Sequence, residues 1–190
     1  MSNDLAAAIR ELGRAAYAVE TSAEQQAEAI STIESIVARL ADATPRVARR
    51  GREHSTFSGS QNPIAPPMRI RTGELADGRP ALFGAVQIDW LREGPPRAVH
   101  GGVLAGLFDE LLGGAQRLNG GAAGMTGRLT VRYRRPTPLD ENLELRAWIH
   151  DERRRRVTVR GECVVHGTDA VTAEAEAVFL RPKAPRRADG

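Results

Sequence analysis

The hydrophobic positions of this chain follow two spacings, one typical of helices and one typical of strands. Over residues 99–118 the apolar side chains recur every three or four positions, as in a helix that packs one face on a core. That face is formed by Leu104, Leu107, Phe108, Leu111, Ala115 and Leu118. The opposite face, here termed the small-residue stripe, consists of Gly102, Ala105, Gly106, Asp109 and Gly113. Because glycine inside a helix costs roughly 1 kcal/mol relative to alanine, the stripe predicts close approach by a ligand or by a second backbone.

The segments around this helix alternate between apolar and polar residues, which is the pattern of strands in an antiparallel sheet. Two such runs precede the helix, over residues 68–75 and 80–90, and Asp77-Gly78 between them predicts a hairpin turn. Four more runs follow it, over residues 125–134, 143–149, 157–165 and 171–180. The pattern therefore predicts an α+β fold in which five or six antiparallel strands surround one central helix.

Residues 2–43 predict two amphipathic helices, and Thr21 or Ser22 is the expected N-cap of the second. Both helices need a partner surface, which either the core of the domain or a second subunit would provide. A DNA-binding helix-turn-helix is the alternative. The second helix carries three glutamates against one arginine, which fits a phosphate backbone poorly.

These patterns divide the chain into three regions. Residues 1–50 are expected to form a helical extension and the start of a linker, residues 51–182 the main domain, and residues 183–190 a disordered tail. The linker runs to residue 67, and its prolines exclude a helix and favour extended backbone.

The composition adds limits on function. The chain has 27 basic and 24 acidic residues and a net charge of +3, so no nucleic-acid partner is expected. No basic region followed by an apolar core begins the chain, and no uncharged apolar run approaches about 18 residues, so we expect a soluble, cytoplasmic protein without a membrane span. The single cysteine, Cys163, is expected to be a small buried residue rather than a nucleophile. The histidines lack metal-ligand spacing, so no metal site is expected.

The start of the central helix and a carboxylate within it carry the candidate chemistry. His100, Gly101 and Gly102 precede the apolar run, where unpaired backbone N–H groups and the helix dipole favour an anion or an oxyanion. Asp109 lies about 12 Å further along the axis, so one chain cannot place both groups at one carbonyl carbon. Two copies packed antiparallel about a two-fold axis would do so, which predicts a composite active site at a homodimer interface, with Asp109 buried by the partner. Glu110 points about 100° away and is expected to pair at the surface.

Four segments, taken in order, resemble the PaaI-like branch and the THEM type of the hotdog-fold thioesterases. They are His100-Gly101-Gly102 with Asp109 nine residues after the histidine, Met125-Thr126-Gly127, residues 133–139, and Thr172-Ala173-Glu174-Ala175. The resemblance covers about residues 60–181. It implies the hotdog fold, a sheet wrapped around a central helix, and hydrolysis of an acyl-CoA thioester by a homodimer or a dimer of dimers. It implies no cofactor, since coenzyme A is part of the substrate.

The resemblance also implies roles for individual residues. Asp109 would act either as a general base on water or as a nucleophile on the thioester carbonyl. A backbone N–H of Gly101 or Gly102 would polarise that carbonyl, and Thr126 would hold the attacking water or the Asp109 carboxylate. His100 has no acid partner within sequence reach and is expected to orient the loop through a hydrogen bond.

Substrate binding and a competing function complete the predictions. Asn62 would line the acyl or pantetheine channel, or would belong to a rigid linker. Arg134 and Arg135 suit the phosphates of coenzyme A, whereas the arginines at residues 153–156 form either a second phosphate site or a solvated hairpin. A hotdog dehydratase would need a catalytic histidine with an acid, which the pattern lacks. A non-catalytic acyl-CoA sensor or assembly module would use the same pocket without needing Asp109.

Overall fold

The computed structural model describes residues 4–44 and 51–182. These residues form three α-helices, α1 (Leu5–Ala18), α2 (Ala23–Ala41) and α3 (Gly101–Ala115). They also form six β-strands, β1 (Arg69–Glu74), β2 (Pro80–Gln87), β3 (Met125–Tyr133), β4 (Asn142–Arg153), β5 (Arg156–Val165) and β6 (Val171–Leu180). The predicted tail at residues 183–190 and the last part of the predicted extension, residues 45–50, lie outside the described residues.

The six strands form one antiparallel sheet in the order β1-β2-β4-β5-β6-β3. The sheet packs on the apolar face of α3, whose buried residues are Leu104, Leu107, Phe108, Leu111, Leu112 and Ala115. The predicted architecture of an antiparallel sheet around one helix, with helices before it, is confirmed. Strands β1 and β3 lie at the two edges of the sheet.

Several element ends differ from the sequence expectation; among them, strand β4 runs to Arg153 rather than to residue 149. Helix α3 ends at Ala115, short of residue 118, because the buried side chain of Gln116 bonds the backbone of Gly124 and turns the chain (N–H to Oε1 2.7 Å, Nε2 to O 3.2 Å). Strand β2 ends at Gln87, before a one-turn 3₁₀ helix. The hairpin turn between β1 and β2 lies where it was predicted, with Gly78 at a φ of +79°.

The single cysteine lies in the core, as predicted. Cys163 on β5 is buried, and burial raises the pKa of its thiol to about 11. The thiol therefore stays protonated near neutral pH and is a poor nucleophile. Across residues 4–44 and 51–182, no group of histidine, cysteine, aspartate and glutamate is arranged to hold a metal ion, and no helix is long and apolar enough to cross a membrane.

Polar contacts and one aromatic pair attach α1 to the rest of the chain. The centroids of the Tyr17 and Trp90 rings lie 4.9 Å apart. The guanidinium of Arg10 donates to the backbone carbonyl of Asn62 at 2.9 Å, and Arg14 pairs with Asp89 at 3.4 Å. The apolar stripe of the helix points away from the domain, with Leu5, Ile9, Leu12 and Val19 exposed. The core of the same chain therefore does not cover this stripe.

Helix α2 begins where the sequence predicts and packs on nothing within the described chain. Ser22, one of the two predicted caps, forms a capping box with Gln25. The helix has no buried residue, and its exposed large apolar side chains are Ile30, Ile33, Ile36, Val37 and Leu40. Of the two partner surfaces considered for the N-terminal helices, the core of the same chain does not serve α2.

Candidate active site

The N-terminus of α3 offers one free backbone donor rather than two. His100 is the N-cap, and its Nδ1 accepts a hydrogen bond from the Gly102 N–H at 3.0 Å. The N–H of Gly101, at the first helical position, has no hydrogen-bond partner in the described part of the chain. Of the two glycines predicted to offer a backbone N–H to a ligand, only Gly101 therefore has that group available, because the His100 ring accepts the N–H of Gly102.

A bulge in β3 brings a hydroxyl to the carboxylate of Asp109. Pairing with β6 shifts register at Gly127, so Thr126 stands opposite Phe179, a core residue, and shares the helix-facing side of β3 with Leu129. Without the extra residue, the two-residue period would point Thr126 to the outer face. The Thr126 Oγ1 donates to Asp109 Oδ1 at 3.1 Å. These two predicted site residues are thus in direct contact.

Tyr133 at the other end of β3 reaches the start of α3, and the sequence analysis gave this residue no role. Its hydroxyl donates to the Gly101 carbonyl at 2.7 Å. In the sequence, Tyr133 continues the alternation by which Leu129 and Val131 face inward, and this pattern could have indicated that its side chain faces α3. Strand β3 therefore contacts α3 at two points, Asp109 and Gly101, which lie eight residues apart.

The outer edge of β3 has no neighbouring strand in the described chain. Asp109 is exposed in the single chain, and so is Thr126. The predicted burial of the Asp109 carboxylate requires a second copy and stays a prediction.

The other flank of α3 is covered by residues 51–62, here called the strap. The carboxylate of Glu110 accepts hydrogen bonds from the hydroxyl of Ser55 and, at 3.0 Å, from that of the buried Ser58. The expectation that Glu110 pairs at the surface is wrong, because the residue is half-buried and the partners of its carboxylate are two hydroxyls of the strap. The linker sequence has no periodicity that could have revealed this contact.

The strap also occupies part of the small-residue stripe. A Cβ built on Gly106 would lie 2.2 Å from the ring of Phe57, whereas nothing lies within 4 Å of one built on Gly113. At Gly106, the close approach predicted for a ligand or a second backbone is made instead by an aromatic ring of the same chain. The stripe remains open at Gly113.

These two glycines give a stability prediction with its own control. We expect Gly106→Ala to lower the free energy of unfolding by about 1–3 kcal/mol, because the added Cβ would collide with the Phe57 ring. Gly113→Ala should instead raise it by up to about 1 kcal/mol, through helix propensity alone. Urea unfolding followed by circular dichroism measures both, and equal shifts would contradict the packing described.

Asn62 is used inside the strap. Its side-chain Nδ2 donates to the Ser55 carbonyl at 3.2 Å, and its Oδ1 accepts the Ile64 N–H at 3.2 Å. The side chain therefore shapes the turn that α1 holds through Arg10. Contact between Asn62 and a substrate stays a prediction.

The predicted phosphate-binding arginines lie at the surface beyond β3. Arg134 forms an ion pair with Glu174 at 2.7 Å, while Arg135 is exposed and forms no ion pair within the described ranges. The arginines at residues 153–156 form the exposed β4–β5 hairpin, with Arg154 at a φ of +54°. Among these arginines, Arg135, Arg154 and Arg156 are exposed and form no ion pair with another described residue, so each has a guanidinium available to a phosphate.

A cleft of about 570 Å³ contains the Asp109 carboxylate. Its charged and polar lining residues are Arg52, Asp109, Glu110, Gln116, Arg117 and Thr126. Arg52 and Arg117 carry no motif that would have marked them from the sequence. The volume lies in the range of small-molecule sites.

A larger cleft, of about 1100 Å³, lies between α1, the strap and the ends of β2 and β4. Neither Asp109 nor the start of α3 lines it. Five arginines line it, including Arg52 and Arg69. The other three, Arg10, Arg14 and Arg92, are bonded to backbone carbonyls and to Asp89, so these three serve to dock α1 and the strap. Of the predicted catalytic residues, Asp109 and Thr126 line the smaller cleft instead.

Comparison with known proteins connects this site to a family. The family described as "Thioesterase superfamily" matches residues 97–169, which include α3 and β3. A crystal structure described as that of a thioesterase superfamily protein is 32% identical, with a TM-score of 0.82 and 92% of each chain covered. The PaaI protein of E. coli, from the phenylacetic acid degradation operon, shares the fold with a TM-score of 0.52 at 16% identity, covering 60% of this chain and 82% of that one.

One curated relative carries a named activity. The acyl-coenzyme A thioesterase THEM4 of Xenopus laevis is 34% identical over 90 residues, which is 47% of this chain and 40% of THEM4. The chain thus matches less than half the length of that relative.

Proposed function

We propose that this chain, which belongs to the thioesterase superfamily, is an acyl-CoA thioesterase that hydrolyses a CoA thioester to a free acid and CoA. The observation that carries the proposal is the hydrogen bond from Thr126 to Asp109, at an open cleft beside the small-residue stripe. Because the Thr126 hydroxyl binds one oxygen of the Asp109 carboxylate, the other oxygen can take a proton from water or attack a carbonyl carbon.

Two reaction routes start from this carboxylate. As a general base, Asp109 takes a proton from water while the water oxygen attacks the thioester carbonyl carbon. As a nucleophile, its free oxygen attacks that carbon itself and gives an anhydride, which water then hydrolyses. In both routes the tetrahedral intermediate collapses by breaking the C–S bond, and the CoA thiolate leaves and takes up a proton.

The negative charge on the carbonyl oxygen needs a donor, and Gly101 supplies the best candidate. Its N–H has no hydrogen-bond partner among the described residues and lies at the first position of α3, where the helix dipole is positive. The neighbouring Gly102 N–H is already bonded to His100. We therefore assign the oxyanion donor to Gly101 and the shaping of the helix start to His100.

A homodimer would unite these groups. Asp109 and Gly101 of one chain are about 12 Å apart along α3, so one thioester cannot contact both. One edge of strand β3 is unpaired within residues 4–44 and 51–182. Thr126 lies beside Asp109 at one end of the strand, and Tyr133 lies beside Gly101 at the other. Antiparallel pairing of two β3 edges about a two-fold axis would place the Thr126 end of one copy beside the Tyr133 end of the other. Each of the two resulting sites would combine Asp109 of one copy with Gly101 of the other.

Removal of the Thr126 hydroxyl tests the support given to the carboxylate. Thr126→Val should lower kcat about 10- to 100-fold, since a hydrogen bond to a charged group contributes about 1.5–3 kcal/mol. Thr126→Ser keeps the hydroxyl and should stay within a few-fold of the wild type. An unchanged kcat in the valine variant would remove Thr126 from the proposed mechanism.

Release of CoA thiol from aryl, short, medium and long acyl-CoAs tests the function itself. The buried thiol of Cys163 adds little background to a thiol-reactive dye. Turnover of any member of the panel would support the thioesterase. Tight binding of acyl-CoA without turnover of any member would instead favour the sensor or assembly module.

A further inference from the structure

An aromatic ring of the strap stands on the small-residue stripe. A Cβ built on Gly106 would lie 2.2–2.5 Å from three carbon atoms of the Phe57 ring, so the edge of the ring rests against the backbone of α3. Phe57 is half-buried and packs on the hydrophobic core, which leaves part of its surface accessible.

The ring is adjacent to the proposed reaction centre. Gly106 lies three residues before Asp109 and four after Gly102, and residues at these spacings are neighbours on a helix surface, about 5–6 Å apart between Cβ positions. Thr126 contacts the carboxylate from the β3 flank, while Phe57 approaches from the strap flank. The open part of the stripe beside Asp109 is therefore bounded by an aromatic wall.

Residues before and after Phe57 in the sequence attach the strap to α3 and so position the ring. The hydroxyls of Ser55 and Ser58 both donate to Glu110, which follows Asp109 on α3. The backbone N–H of Phe57 donates to Ser55 Oγ at 3.4 Å. These contacts hold the ring over Gly106 and resist its displacement by a substrate.

We infer that Phe57 determines which acyl groups the enzyme accepts, by closing the stripe beside Asp109 to long or bulky chains. The inference rests on the proposed thioesterase function. The Phe57 ring can pack against α3 at this point because Gly106 has no side chain. A small side chain at position 57 would leave the small-residue stripe uncovered at Gly106, which lengthens its open part by about one helical turn, or roughly 5 Å.

Chain-length profiles of variants test this role. For a straight-chain acyl-CoA series, Phe57→Ala should raise the ratio of kcat/KM for long over short chains by about tenfold or more, since single methylene groups already discriminate 10- to 200-fold in a fitted pocket. Phe57→Trp should shift the profile towards shorter chains. Phe57→Leu provides an intermediate variant with a milder loss of packing if the alanine variant does not fold.

Phe83→Ala is the matched control, because its ring lies on β2 beneath the guanidinium of Arg71, at 4.2 Å, and away from α3. It should leave the chain-length ratio unchanged. An identical profile for the wild type and all folded Phe57 variants would overturn the inference while leaving the thioesterase intact. Hydrolysis of no acyl-CoA by the wild type would instead defeat the proposed function, and the inference with it.

Discussion

Asp109→Asn is expected to lower kcat for acyl-CoA hydrolysis by roughly 100-fold or more, because the amide neither accepts a proton from water nor attacks a thioester. The substitution keeps the shape of the side chain and an oxygen that accepts the Thr126 hydroxyl hydrogen. The fold should therefore survive, and KM should change less than kcat. Steady-state assays of thiol release measure both parameters.

The adjacent Glu110 provides the matched control. Glu110→Gln makes the same chemical change one position along α3, at a carboxylate that binds the strap hydroxyls. We expect it to change kcat only a few-fold and to affect mainly stability. If Glu110→Gln abolished turnover and Asp109→Asn did not, the reacting carboxylate would be Glu110 and the assignment of Asp109 would fall.

Gly101→Pro should lower kcat by roughly 100- to 1000-fold, the loss expected when one oxyanion donor is removed. Proline lacks the N–H but suits the first position of a helix, and His100 already has the extended backbone that proline demands before it (φ −59°, ψ 130°). Gly101→Ala is the control. Its Cβ, like that of proline, would lie 3.1 Å from the Tyr133 ring, but its backbone N–H remains. Equal losses in the two variants would attribute the effect to crowding and not to the missing donor.

A mixture of the two inactive variants tests the composite site. If Asp109 and Gly101 act across a dimer interface, a mixed dimer has one site with both lesions and one site with none. Co-refolding equal amounts of Asp109→Asn and Gly101→Pro should then restore about a quarter of wild-type activity, since half of the dimers are mixed. Two sites that each lie within one chain would show no recovery.

The periodic elements of this fold could be predicted, and so could the residues that they carry. The apolar face of α3 and the alternation in β3 placed Asp109 and Thr126 on elements that meet. Their contact depends on the bulge at Gly127. The alternation of apolar and polar residues does not predict this bulge, because the extra residue exchanges the inward and outward positions of the strand at that point. The start of α3 was likewise recognised, but the competition between His100 and a ligand for the Gly102 N–H needed the side-chain position.

The strap could not be predicted, for a different reason. Its contacts with α3 join residues more than 50 positions apart through hydroxyl groups, and they leave no spacing in the sequence. Glycine at position 106 was correctly recognised as a point of close approach. Which group approaches there, the ring of Phe57, follows from the path of the linker and not from the helix itself.

One ion pair makes the attachment of α1 to the rest of the chain sensitive to ionic strength. Arg14 pairs with Asp89 in the loop after β2, beside a contact between the Tyr17 and Trp90 rings. The largely buried guanidinium of Arg10 donates to a backbone carbonyl of the strap, and α3 is held by apolar packing. Added salt screens exposed charge pairs and leaves hydrophobic burial intact or strengthens it. Concentrated salt should therefore weaken the ion pair of Arg14 with Asp89, and hydrogen exchange in α1 should accelerate while that in α3 does not.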